Sequence, residues 1–211
     1  MPKPWTTVFP TPTHWDERFS EAGYFYGTEP NDFLRSVADR LPGGRILCLA
    51  EGEGRNAVFL AGRGAQVTAV DASAPGLAKI RALAAERGVA VETVQADLAS
   101  WPIAPGTWDA VVAIFCHLPP EIRGEVHRRA VTGLRPGGAF VLEAYTPDQL
   151  RYETGGPRVE ELLMRLEDVR GELAALEFEI AHEIERDIHE GRGHTGRSAV
   201  VQVFGRKPRV G

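Results

Sequence analysis

Apolar positions fall in two rhythms along the chain. Short runs at 46–49, 66–70, 108–115 and 139–145, and the stretch holding Val89, Val91 and Val94, have the length of strands. The run at 108–115 is almost unbroken, the pattern of a strand covered on both faces. Between these runs the spacing becomes helical. Phe33, Leu34, Val37 and Leu41 follow Asn31 as N-cap, and Ala57, Val58, Leu60 and Ala61 follow a glycine pair. Leu77, Ile80, Leu83 and Ala84 follow Ser73 as a second cap. Pro119-Pro120 opens a helix that runs to about Gly133, and Leu162, Leu163, Leu166, Val169 and Leu173 predict an amphipathic helix over 159–174. A charged, alternating strand over 176–188, a glycine turn at 191–196 and an apolar strand over 199–204 close the chain. Residues 15–19 have the pattern of a short helix, and proline-spaced residues 1–12 predict irregular chain. Repeated strand–helix units require a parallel sheet with right-handed crossovers, here finished by an antiparallel hairpin.

One stretch organises the rest. The strand at 46–49 breaks through Gly52 and Gly54 into a helix, which lets backbone approach a ligand and aims helix N–H groups at it. The next strand ends in Asp71, placed to accept hydrogen bonds from both hydroxyls of a ribose. Gly52, Gly54, Asp71, Asp97, His117 and Tyr145 all fall at or just beyond strand C-termini, where ligands bind in such sheets. Glycine turn plus strand-end acid therefore reads as a nucleoside cofactor site, against the alternative of a tight turn with a capping acid.

Composition narrows the partners. The 211 residues suit a single domain, 1–211, with 1–30 as a segment over the site. A net charge of -5 removes the usual electrostatic reason to expect nucleic-acid binding. The two cysteines, Cys48 and Cys116, sit in apolar strand segments and are too few for a disulfide framework. No apolar run reaches membrane-spanning length, and the expectation is a cytoplasmic protein acting on a small molecule.

Cys48-Leu49-Ala50-Glu51-Gly52-Glu53-Gly54 followed by Arg55-Asn56-Ala57, with Asp71, Asp97-Leu98 and Phe115-Cys116-His117, resembles the class I S-adenosylmethionine-dependent methyltransferases over nearly the whole chain. Within them it looks like the bacterial tellurite-resistance and thiopurine methyltransferase group. The resemblance implies an α/β, Rossmann-like fold: a seven-stranded mostly parallel sheet with a C-terminal antiparallel hairpin and helices on both faces. It implies S-adenosyl-L-methionine as cofactor, with S-adenosyl-L-homocysteine as product. Ala50, Glu51, Gly52, Gly54, Asn56, Asp71, Ala72, Ser73, Ala96, Asp97, Leu98 and Phe115 would bind the cofactor. Two positions depart from the family's first motif. Cys48 stands where the family has an acid that helps hold the cofactor's amino end, and Ala50 where it has a glycine. Glu51 or Glu53 could substitute for that acid.

An in-line transfer from a sulfonium needs positioning above all. A thiol, a selenium or tellurium oxyanion or a small acid needs little else, while other nucleophiles need a base within reach. His117 is the first candidate for a catalytic base, and Glu143, Tyr145 and His194 come next. With Trp15 and Tyr26 those three form the candidate acceptor-binding set. The competing readings are a hydrogen-bonded structural histidine for His117, an arginine-paired buried carboxylate for Glu143, a core ring for Tyr145 and a turn residue for His194. His182, His189 and His194 lack the arrangement of a metal site, and no metal is expected. Two other functions stay open. Gly52-Glu53-Gly54-Arg55-Asn56-Ala57 also satisfies a dinucleotide fingerprint, that of an NAD(P)-dependent oxidoreductase. Cys48 and Ala50 admit a catalytically silent S-adenosylmethionine-binding protein.

Overall fold

The structure is a computed structural model that describes residues 12–209. Residues 1–11 of the proline-spaced amino terminus lie outside the described residues. The elements are α1 (Pro12–Ser20), α2 (Asp32–Val37), β1 (Arg45–Leu49), α3 (Arg55–Gly62), β2 (Gln66–Asp71), α4 (Ala74–Glu86), β3 (Val91–Gln95), β4 (Trp108–Ile114), α5 (Pro120–Gly133), β5 (Leu134–Tyr145), α6 (Leu166–Glu172), β6 (Glu177–Glu190) and β7 (His194–Arg206). They build one seven-stranded sheet in the order β3-β2-β1-β4-β5-β7-β6. The first five strands pair in parallel and β7 runs antiparallel between β5 and β6, as the sequence predicts. Strand order reverses between β1 and β4, which opens a crevice outside their C-termini.

Side-chain alternation explains the two cores. Leu47, Leu49, Val111 and Ala113 face one layer with α5 and α6, while Ile46, Cys48, Ala110 and Val112 face the other with α2, α3 and α4. Both cysteines are buried and free. Asn31 and Ser73 cap their helices as read, accepting from Leu34 N–H at 2.9 Å and Gly76 N–H at 3.3 Å.

Three segments differ from the sequence reading. The helix over 159–174 is instead a single 3₁₀ turn, Glu160–Leu162, an extended step and then α6. Leu162, Leu163 and Met164 are buried in succession, and Met164 N–H donates to the Tyr145 carbonyl, which no helix could combine. The final hairpin is longer than read. Pairing continues to Glu190 opposite His194, so only 191–193 turns the chain. The stretch 146–157, whose glycines, prolines and length read in the sequence as a mobile rim of a site, is pinned. Gln149 is buried, its carbonyl oxygen accepting from Ala199 N–H and its amide donating to Thr154 and Gly155.

Candidate active site

β1 is buried from Ile46 to Leu49 and β4 from Ala110 to Ile114, and the chain surfaces again just past their C-terminal ends, at Ala50, Glu51 and Gly52 and at Phe115 and His117. The backbone changes hand at the same places. Ala50 and Phe115 take positive φ of 49° and 52°, unusual outside glycine, and Gly52 and Gly54 take 64° and 96°. A Cβ at Gly54 would come within 2.9 Å of Ile80 Cα, so this glycine lets α3 start hard against α4. At Gly52 it would meet the Phe19 ring at 3.2 Å. The glycine turn is thus packed by α1, whose Asp16 also accepts from the Ser73 hydroxyl at 2.6 Å.

Asp71 lies where the sequence puts it, at the tip of β2, buried and turned inward. One carboxylate oxygen accepts from Gly52 N–H and the other from Ser73 N–H, each at 2.8 Å. Burial raises its pKa, and these backbone donors oppose the rise. A carboxylate has about four lone-pair sites, so capacity remains for further donors. Asp97 accepts from Ala99 N–H through one oxygen and is exposed, with Leu98 buried beside it and Ala96 N–H donating to the Asp71 carbonyl.

The helix start is less open than the sequence suggests. Glu51 Oε1 accepts from Asn56 N–H at 3.0 Å and Ala57 N–H at 2.8 Å, so two of the first N–H groups of α3 are already used. Burial pushes its carboxyl up to about 7, against those bonds and Arg55. Glu53 is occupied otherwise, by Tyr26 N–H at 3.1 Å and Lys79 at 2.7 Å. Glu51 also lies against the Cys48 thiol and helps raise its pKa, which sets a carboxylate beside the position where Cys48 replaces the expected acid.

The reading of His117 as a base is corrected. Its Nδ1 lies 2.8 Å from the Leu162 carbonyl, and Tyr145 N–H donates to Nε2 at 3.3 Å. Burial lowers its pKa to about 4, so the ring is neutral, with both nitrogens engaged in framing the strand ends. Glu143 is corrected as well. It is fully buried and its oxygens take the Asn31 amide at 2.7 Å, Arg186 at 2.7 and 3.1 Å, and Gln202, leaving nothing for an acceptor. Trp15 stacks on Phe19 at 5.6 Å, and Phe19 in turn meets Tyr26 edge-on.

The remaining candidates do meet. His194 packs 4.3 Å from the Phe115 ring, 4.5 Å from Tyr26 and 5.4 Å from Tyr145, and Phe115 stacks on Tyr145 at 4.7 Å. Sequence reading missed Arg55, Glu190, Asn31 and Arg186, which join this cluster. Arg55 Nη2 lies 2.6 Å from Glu190 Oε2, and Asn31 bridges Glu143 and Glu190. Among these, the sequence shows Asn31 as a cap and Arg55 as part of the glycine motif, but not their places in this cluster. The ion pairs join residues far apart in the chain.

Residues 46–138, which run from β1 into β5 across this crevice, match the family described as methyltransferase domain. Over this segment the chain is similar to the class I S-adenosylmethionine-dependent methyltransferases. A demethylmenaquinone methyltransferase of Thermus thermophilus is 36% identical over 109 residues, 49% of this chain and 48% of that protein. The chain thus matches about half the length of that relative. The domain's fold recurs in a structure described for the conversion of a disulfide bond into a thioacetal group during echinomycin biosynthesis, at a TM-score of 0.71, 18% identity and coverage of 96% and 92% of the two chains. It recurs in TehB from Haemophilus influenzae, at 0.68 and 17%, covering 92% of this chain and 66% of that one. The cofactor of this class is S-adenosylmethionine, and the residues fit it. The crevice offers a buried carboxylate with spare acceptor capacity for ribose hydroxyls and left-handed backbone beside it. No helix among the described residues is long and apolar enough to cross a membrane.

Proposed function

We propose that this protein transfers the methyl group of S-adenosylmethionine to a small-molecule acceptor by direct in-line displacement. The observation that carries the reading is Asp71, buried at the tip of β2 and bonded to Gly52 at the mouth of the crevice beside the strand-order switch. When bound, the cofactor supplies a methyl group made electrophilic by its sulfonium. Asp71 binds the ribose, and Asp97 with the Leu98 backbone binds the base. Ala50, Glu51, Gly52, Gly54, Asn56, Ala72, Ser73 and Ala96 line the remainder. Phe115 sits at the reactive end and, with Tyr26, Tyr145 and His194, keeps water from it. Residues 12–30 are the described part of the segment that closes over the site. Tyr26 is held there by Arg18 at 3.0 Å and by Glu53, and Phe25 accepts from Arg192 N–H in the hairpin turn. The whole chain acts as a single domain without nucleic acid.

Such exclusion and alignment are worth on the order of 7–11 kcal/mol, enough for a soft nucleophile. The similarity to TehB is one of fold and leaves thiols, selenium and tellurium oxyanions and small acids as acceptors to be tried. The dinucleotide fingerprint and the silent-binding alternative are not favoured beside the family match. A labelled-methyl transfer assay across thiols, selenite, tellurite and small acids tests the proposal. Transfer to at least one of them supports it, and silence from a protein saturated with cofactor favours the silent-binding alternative.

A further inference from the structure

Glu190 is the last residue of β6 and His194 the first of β7, and the two are paired across the hairpin end. Glu190 Oε2 lies 3.8 Å from His194 Nδ1, just beyond hydrogen-bond reach, and the same oxygen lies 2.6 Å from Arg55 Nη2. Its other oxygen is held by Asn31 at 2.9 Å and Arg186 at 3.3 Å. Arg55, Glu190 and His194 are each buried. Among the described residues six side-chain atoms are buried without a hydrogen-bond partner; Trp108 Nε1 and Arg129 Nε lie elsewhere, and Arg55 Nη1, Tyr145 Oη, Glu190 Oε2 and His194 Nδ1 belong to this cluster. Buried polar atoms are normally satisfied, and several unsatisfied ones gathered together mark a place where a ligand completes the bonding.

The charges of this network balance, buried Arg55 and half-buried Arg186 against buried Glu143 and Glu190, with exposed Asp32 also 3.5 Å from Arg186. A further cation, Arg18, is half-buried and spends Nη1 on the Tyr26 hydroxyl. An acceptor arriving as an anion would bring a charge, while Arg55 and Arg186 already answer other carboxylates. An acceptor arriving neutral would bring none, but would have to lose a proton as it reacts.

We propose that His194, oriented by Glu190, takes that proton, and that the acceptor is a neutral molecule carrying an O–H or S–H and not a preformed oxyanion. The proposal rests on the methyltransferase reading above. The O–H or S–H bond breaks with its proton passing to the imidazole Nε2. The electron pair left on oxygen or sulfur forms the new bond to the methyl carbon. The carbon–sulfonium bond breaks with its pair staying on the cofactor sulfur, giving a methyl ether or thioether, S-adenosylhomocysteine and an imidazolium. Glu190 stabilises that imidazolium through Nδ1–H, the 3.8 Å gap closing as charge develops. Glu190 and Arg55 are positioning residues, and His194 is the catalytic one. The groups that face its ring are Glu190 from β6, Arg55 from α3, Arg18 from α1, Tyr26, Tyr145 from β5 and His117 beyond β4. Burial favours the neutral ring, Arg55 and Arg18 add to this, and Glu190 opposes it, so the base starts unprotonated.

The test is nitrogen NMR of the histidine-labelled full chain saturated with S-adenosylhomocysteine, with calorimetry of the same complex against phenol, thiophenol, benzoate and selenite. We expect His194 neutral at neutral pH as the Nδ1–H tautomer. In Glu190→Gln its midpoint of protonation should fall, because the opposing carboxylate charge is gone. Binding of phenol or thiophenol that shifts the His194 signals supports the assignment. An imidazolium at neutral pH, an Nε2–H tautomer, signals unmoved by Glu190→Gln, or selenite or benzoate binding roughly tenfold tighter than both neutral probes overturns it. Loss of S-adenosylhomocysteine binding itself would refute the methyltransferase reading, whereas binding with the wrong His194 state refutes this proposal alone.

Discussion

The side-chain amide of Asn31 donates to Oε1 of Glu143 at 2.7 Å and so ties the start of α2 to the C-terminal end of β5. Its second N–H goes to Glu190, its carbonyl oxygen caps α2 at Leu34, and its backbone N–H donates to Asn56. Every polar group of this fully buried residue is used. Asn31→Ala removes a cap and leaves two buried carboxylates short of a donor, for an expected loss of about 2–4 kcal/mol in denaturant unfolding. Asn31→Asp sets a third carboxylate against Glu143 and Glu190 and should cost more than Asn31→Ala. The reverse order would show that the network does not carry the charge assigned to it.

His117 makes the stability depend on pH in a definite direction. Its folded pKa, about 4, lies below the ordinary 6.5 because burial disfavours the charged ring. Between those values the unfolded chain binds more protons. The contribution is therefore fully present above about pH 6.5 and is lost as pH falls toward about 4. For a partly buried ring it amounts to about 2–3 kcal/mol at most. His117→Gln, which keeps a donor and an acceptor, should flatten urea-measured stability across that window. An unchanged slope would mean the ring titrates as in water and is free to serve as a base.

Gly54 combines a left-handed backbone with contact too close for a Cβ. Gly54→Ala incurs backbone strain of about 1–3 kcal/mol. Overpacking against Ile80 adds a cost of similar size, about 1–3 kcal/mol. Thermal unfolding should show the loss, and the Ile80→Ala, Gly54→Ala double variant should recover only the part due to Ile80 Cγ1, since Ile80 Cα and Cβ stay within 3.0 Å of the new methyl. Equal destabilisation in additive single variants would place the cost in the backbone alone.

Much of the fold was legible because local signals and burial agree. The unbroken run at 108–115 is a central strand with both faces covered, and Asn31 and Ser73 cap where their side chains can reach the next turn. The helix over 159–174 was misread because leucines at helical spacing also suit an extended step between two short turns, and the Met164–Tyr145 backbone bond decides between them. The cofactor half of the proposed site follows from glycines and an acid at fixed offsets. The acceptor half does not. Glu190 looks like one more charge on a solvated strand until the hairpin register places it against Arg55, and His194 looks like a turn residue until pairing carries β7 back to it. His117 carried the stronger positional signal at the end of β4, yet its nitrogens are spent on Leu162 and Tyr145.

The account depends on Asp71 holding a nucleoside in the crevice between β1 and β4. Isothermal calorimetry with S-adenosylhomocysteine, on the unaltered chain and on Asp71→Asn, measures this directly. We expect saturable binding that weakens by about 1–3 kcal/mol in the variant, the scale of a buried hydrogen bond left unmade, with no comparable heat from NAD. Tight binding of NAD without a S-adenosylhomocysteine signal, or an Asp71→Asn dissociation constant equal to that of the unaltered chain, would contradict it.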